Sequence, residues 1–155
     1  MRINYTTYDV RRSQDVINPN TDHCDVMLLS GNEGTTRRHQ YIYARVLAIF
    51  HVNAFYLGMG ISDNQPRRTE FLWVRWFEII DDRPVQDNWT LRRLNILQFL
   101  PVTHEHAFGF VDPADVLRGC HIIPRFAEGM RHVNTKGISR YARDSNDWCQ
   151  YILAR

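Results

Sequence analysis

The chain is almost without lysine. Of its 19 basic side chains one is lysine, Lys136, and the other eighteen are arginine. Cysteine is scarce as well: Cys24, Cys120 and Cys149 are odd in number, far apart and form no CxxC pair. That excludes a disulfide framework or a zinc ribbon and fits a reducing compartment. No apolar run approaches the ~20 residues of a bilayer-crossing helix, and the opening MRINYTTYDVRR has no apolar signal core, so an intracellular protein is expected. The net charge of +2 is too small to announce a nucleic-acid binder by itself. Internal repeats and low-complexity tracts are absent.

What is present is apolar and aromatic. A hydrophobic content of 44% and an aromatic content of 12% exclude a mainly disordered chain. A length of 155 residues suits one domain, which at this size buries roughly 68–70% of its unfolded surface. Arginine in place of lysine favours planar, bidentate contacts with carboxylate and phosphate, although a high-GC coding sequence gives the same skew.

The organising stretch is EFLWVRWFEIIDD, Glu70 to Asp82. It is too short for a membrane span and too rich in β-branched and aromatic residues for a helix. As a strand it points Phe71, Trp73, Arg75, Phe77 and Ile79 one way and Leu72, Val74, Trp76, Glu78 and Ile80 the other. Both faces are apolar and both need covering, which predicts a small barrel or sandwich with Arg75 and Glu78 near an end or facing a groove.

Further strands are predicted over Arg2 to Val10, Asp25 to Ser30, Tyr41 to Val52, Arg92 to Val102 (with a helix from Trp89 to Phe99 as the alternative), Ala107 to Val111 and Cys120 to Ile123. Asp112 as N-cap, Pro113 at the first position and Gly119 as terminator predict one short helix, Pro113 to Arg118. After Arg125 the chain turns polar. Residues 1–125 therefore read as the β domain and 126–155 as a C-terminal extension, in which Trp148, Tyr151 and Ile152 could line one face of a terminal helix.

Three motifs in order, YARVLAIF (Tyr43 to Phe50), FLWVRWFE (Phe71 to Glu78) and DPADVLRGCHIIP (Asp112 to Pro124), resemble the bromo-adjacent homology domain over roughly residues 25 to 125. The opening RINYTTYDVRR and the layout also resemble hypothetical proteins of mushroom-forming fungi that accompany transposons of the Kyakuja, Dileera and Zisupton class, which implies a segment of something longer. The resemblance implies a mainly β fold, a distorted antiparallel β-barrel with short helices. It also implies a nuclear, non-enzymatic chromatin module that binds a histone tail, a nucleosome or a partner protein, with no cofactor, small-molecule substrate or membrane.

Some members of that family read methylated lysine in an aromatic cage, where each ring contact contributes roughly 0.5–2 kcal/mol. The resemblance places the cage tryptophan at Trp76, a first-strand aromatic at Tyr41 or Tyr43, and a further aromatic near His106 or Phe108, with Glu78 supplying charge. The sequence departs from complete cages in having Glu78-Ile79-Ile80 after the RWF motif and Ile42 at the closest first-strand match.

Other signals compete. The pairs Arg37-Arg38, Arg67-Arg68 and Arg92-Arg93, together with Arg11-Arg12, could hold phosphates, making a nucleic-acid or nucleosome-binding module the alternative function. His104 and His106 offer half of a metal site with no third ligand indicated. Cys120-His121 looks like a nucleophile beside a base, but neighbours on a strand face opposite ways.

Overall fold

Alternation of apolar residues along two fourteen-residue strands builds the centre of the molecule. The computed structural model describes residues 1–6, 12–31, 40–55, 65–80, 95–134 and 136–154. The strands are β1 (Arg2–Thr6), β2 (Arg12–Val16), β3 (Asp25–Leu29), β4 (Tyr41–Ala54), β5 (Arg67–Ile80), β6 (Ile96–Phe99), β7 (Phe108–Val111), β8 (Val116–Gly119), β9 (His121–Pro124) and β10 (Tyr151–Ala154). β1 and β2 form an antiparallel hairpin, and the other eight form one antiparallel sheet in the order β8-β3-β4-β5-β6-β10-β9. β7 shares an edge of β5 with β6, pairing Leu72–Arg75 while β6 takes Phe77–Ile80.

The mainly β, antiparallel expectation holds, but no closed barrel forms. The two end strands, β8 and β9, are separated only by Cys120, whose backbone N–H still donates to the Asp25 carbonyl at 2.9 Å. The ends of the sheet are thus halves of one bent strand. No ladder joins β8 to β9 among the described residues, so the two ends of the sheet meet only through the chain itself.

One face of β5 is covered from Leu72 to Trp76, and the other only from Arg75 onward. On one side Leu72, Val74 and Trp76 join Val26, Leu28, Ala44, Val46, Val111 and Val116, capped by Ile3 and Ile17 from the β1–β2 region. On the other, Phe77 joins Tyr43, Leu97, Phe99, Ile122, Tyr151 and Leu153, brought round by the curl of β6, β10 and β9.

Two helix expectations are overturned. Asp112 does cap, accepting from the Ala114 N–H at 2.8 Å, but only a 3-10 turn, Pro113–Asp115, follows. One turn is too short to sustain a helix, and Val116, 6% exposed, instead enters the core as Leu28 pairs with it across β3. Gly119 is not a helix terminator. Its N–H donates to Asp15 Oδ2 at 2.8 Å, and a Cβ there would come within 3.0 Å of Ile17.

The C-terminal helix is likewise absent: Tyr151–Ala154 is strand β10, paired with both β6 and β9. Period-two alternation of Tyr151 and Leu153 into the core decides this. The described part of the 92–102 stretch is strand rather than helix, since β6 sends Leu97 and Phe99 inward.

Residues 126–150 fold onto the sheet instead of leaving it. Met130 and Trp148 form an isolated bridge, and Arg131 Nη2 donates to the Phe99 carbonyl at 3.1 Å. Asp144 anchors the segment by accepting from the backbone N–H groups of Ile138 at 2.7 Å and Ser139 at 3.1 Å. Gly137 permits this approach, because a Cβ there would lie 2.3 Å from Asp144 Oδ1.

Candidate functional site

The cross-strand register aligns five rings on one face of the sheet. Phe50 of β4 sits opposite Phe71 of β5, and Trp73 lies between Ala48 and Phe110. The Phe50 and Phe71 centroids are 5.6 Å apart, Phe71 meets Phe110 edge-on at 5.5 Å, and Trp73 meets Phe108 at 5.9 Å. Phe50 is 44% and Phe110 72% exposed. The same face is sealed further along β5, where Asp147 reaches Arg75. Toward Phe71 the rings face outward, and an exposed group of large rings marks an interaction surface.

Two guanidiniums lie on the sealed part of this face, Arg75 buried and Arg45 half-buried. Arg75, 1% exposed, pairs with Asp147 at 2.7 Å and lies 4.1 Å from the Phe99 ring centroid. Arg45 grips the buried Asp25 with both donors, at 2.8 and 3.0 Å, and stands 5.0 Å from Phe99 and 5.6 Å from both Phe77 and Tyr151. An aromatic box therefore exists, and the chain's own Arg45 fills it. Arg75 does not sit near a strand end or face a groove, as its place in the belt predicts. Asp147 allows its burial by supplying the countercharge.

The proposed peptide-binding residues fall into separate groups. Tyr43 is buried at 3% and Tyr41 packs beside it on the arginine-bearing face. Trp76 and Glu78 occupy the opposite face: Trp76 is half-buried against the first core, and exposed Glu78 accepts from Gln98 Nε2 at 3.0 Å. Phe108 belongs with Trp73, on the face away from Trp76. His106 is exposed, 3.3 Å from its neighbour Glu105. These six side chains do not surround one pocket. The Trp76 indole instead lies over Gly109, where a Cβ would approach its Nε1 within 2.7 Å.

Of the arginine pairs, Arg67 and Arg68 point to opposite faces of β5, and Arg68 meets Glu70 at 3.0 Å. Arg37, Arg38, Arg92 and Arg93 lie outside the described residues, as does Arg11. His104 and His106 have ring centroids 5.6 Å apart, and among the described residues no group of three metal-ligating side chains occurs.

Burial argues against thiol chemistry at Cys24 and Cys120. Burial, helped by the Asp25 charge, pushes the Cys24 thiol up to about 11, and burial raises Cys120 further still. A thiol raised in this way is a poor nucleophile near neutrality. Burial also raises the Asp25 carboxyl against the pull of Arg45.

The sequence does not declare this aromatic face, because its members come from three strands. The available signal was the two-residue spacing of Phe71 with Trp73 and of Phe108 with Phe110. Comparison with protein-family models, curated proteins and solved structures finds no match, so the chain's own geometry carries the functional reading.

Proposed function

We propose that this chain is a nuclear, non-enzymatic binding module that recognises a histone tail or another chromatin protein across the open aromatic face. The observation that carries the proposal is the five-ring row in which Phe50 and Phe110 remain 44% and 72% exposed. Rings held by a rigid sheet lose little entropy on binding and are the side chains that concentrate interface energy. The resemblance of the three sequence motifs to bromo-adjacent homology domains supplies chromatin as the setting. Selectivity for methylated lysine, within this proposal, falls to Trp76 with Glu78, which share the other face, since Arg45 already fills the ring box.

The test is an array of histone-tail peptides, unmodified and methylated, probed with the wild type and with Phe110→Ser. Binding that disappears in the variant supports the proposal, and a variant that binds as well as wild type sinks it. A second reading, a nucleic-acid-binding module, is favoured by one observation. The residues of β4, β5 and β7 that point to this face, among those described, include Arg67 and no carboxylate. Exposed rings also stack nucleobases. Affinity for a single-stranded oligonucleotide that falls steeply with salt separates this reading from the first.

A further inference from the structure

β4 is fourteen residues long, but β3 pairs only with Tyr41–Arg45. The last bond on that edge among the described residues runs from the Val46 N–H to the Cys24 carbonyl at 2.8 Å. A bulge follows between Val46 and Ala48, and from Ala48 to Ala54 no described strand pairs with the outer edge. Sheet proteins ordinarily blunt such an edge with charge, proline or a very short strand. Among the described residues this one lacks those devices: VLAIFHVNA, residues 46–54, holds no Lys, Arg, Asp, Glu or Pro, and it exposes Phe50 at 44% and Val52 at 47%.

We propose that the Ala48–Ala54 edge pairs with the same edge of a second copy of this chain, in antiparallel register about a two-fold axis through His51. The argument is self-complementarity. Centred on His51, the seven residues A-I-F-H-V-N-A place Phe50 opposite the partner's Val52 and Ala48 opposite the partner's Ala54. The two exposed apolar side chains of the edge thereby cover one another, and small residues meet small residues at both ends. With no Lys, Arg, Asp or Glu in it, the edge sets no such charges of like sign against its copy. Its length is also sufficient, because the unpaired stretch starts where Cys24 stops and runs to the end of β4.

The consequence is geometric. Paired residues of an antiparallel ladder point to the same side, so a two-fold perpendicular to the sheet sets both Phe50-Phe71-Phe110 rows on one continuous surface. Two aromatic faces would then be presented side by side, whichever ligand they take.

Sedimentation equilibrium of the full chain tests this up to about 100 μM, where even a weak specific complex is visible. The expected result is a concentration-dependent dimer that becomes at least about tenfold weaker in Val52→Lys, which sets an ammonium against each Phe50 in the pair. Because Val52 is exposed, circular dichroism should be unchanged in that variant. His51→Cys provides a second, independent reading: the two-fold sets position 51 against its copy, within disulfide reach, so mild oxidation should give a covalent dimer that wild type does not form. A monomer at every concentration overturns the proposal and leaves the edge to a strand from a different protein. A dimer that survives Val52→Lys and fails to crosslink through His51→Cys also overturns it, by placing the contact elsewhere.

Discussion

Arg45 and Arg75 stand directly opposite each other in the register of β4 and β5, on the same face of the sheet. Two guanidiniums so placed repel one another, and the arrangement persists because each has its own carboxylate, Asp25 for Arg45 and Asp147 for Arg75. The π-faces of Phe77, Phe99 and Tyr151 add attraction for the cations. Asp25 comes from the start of the chain and Asp147 from its end, so charge balance in the core ties the two together.

Removing one of those carboxylates should therefore cost more than a surface change. Asp147→Asn leaves the fully buried Arg75 unneutralised, with Nε and Nη2 already lacking hydrogen-bond partners, and should destabilise by about 3–5 kcal/mol. The double change Arg75→Met with Asp147→Leu should recover most of that loss, because it removes the buried charges together. Urea unfolding of the three variants measures both effects, and a double variant no more stable than Asp147→Asn would contradict the electrostatic account.

Acid stability should depend on Asp144. Burial opposes its ionisation, but the backbone N–H groups of Ile138 and Ser139 prevail and hold its carboxyl below the ordinary value of 3.8. A pKa depressed in the folded state gives stabilisation that is complete above the unfolded value and is lost as pH falls through the lower, folded one. Asp144→Asn should thus cost about 1–3 kcal/mol at neutral pH and show a smaller further loss on acidification below 3.8 than wild type. Thermal melts from pH 7 to pH 2 read the difference.

The two ends of the aromatic system should respond oppositely. Phe110→Ser, at a 72% exposed site, should change stability by no more than about 0.5 kcal/mol while abolishing ligand binding. Phe99→Ala, at a 1% exposed site stacked on Phe77 at 4.0 Å, should cost about 3–5 kcal/mol. Equal destabilisation by both would mean that Phe110 is packed rather than presented.

Cutting the chain after Arg125 should abolish cooperative folding. The shortened chain lacks β10, whose Tyr151 and Leu153 complete the second core, and lacks Asp147. Amide dispersion in a nitrogen–proton correlation spectrum reads this directly; a well-dispersed spectrum from residues 1–125 would show that the sheet stands without its last strand.

Much of the fold was legible because strand alternation is written locally. The belt from Phe71 to Ile80 declared two apolar faces, and the structure covers one of them from Leu72 to Trp76 and the other from Arg75 onward. The Asp112 cap was legible for the same reason, since it needs only the Ala114 N–H two residues on. The helix beyond it was not, because the competing force was pairing with β3, some ninety residues earlier in the chain. Trp76 and Glu78 were rightly placed on one face, whereas Tyr43 and Phe108 ended on the other, for relative register between strands is a property of pairs and no single strand states it.

By itself, then, the sequence determined that the central stretches extend, which of their residues alternate and that the middle of the chain is apolar on both sides, since each follows from side-chain chemistry within a few neighbours. Only the tertiary structure decided that the sheet curls without closing, that Asp147 returns to neutralise Arg75, and that enclosure stops before Phe71. These outcomes depend on where distant segments land, and that is fixed by packing and charge balance over the whole molecule.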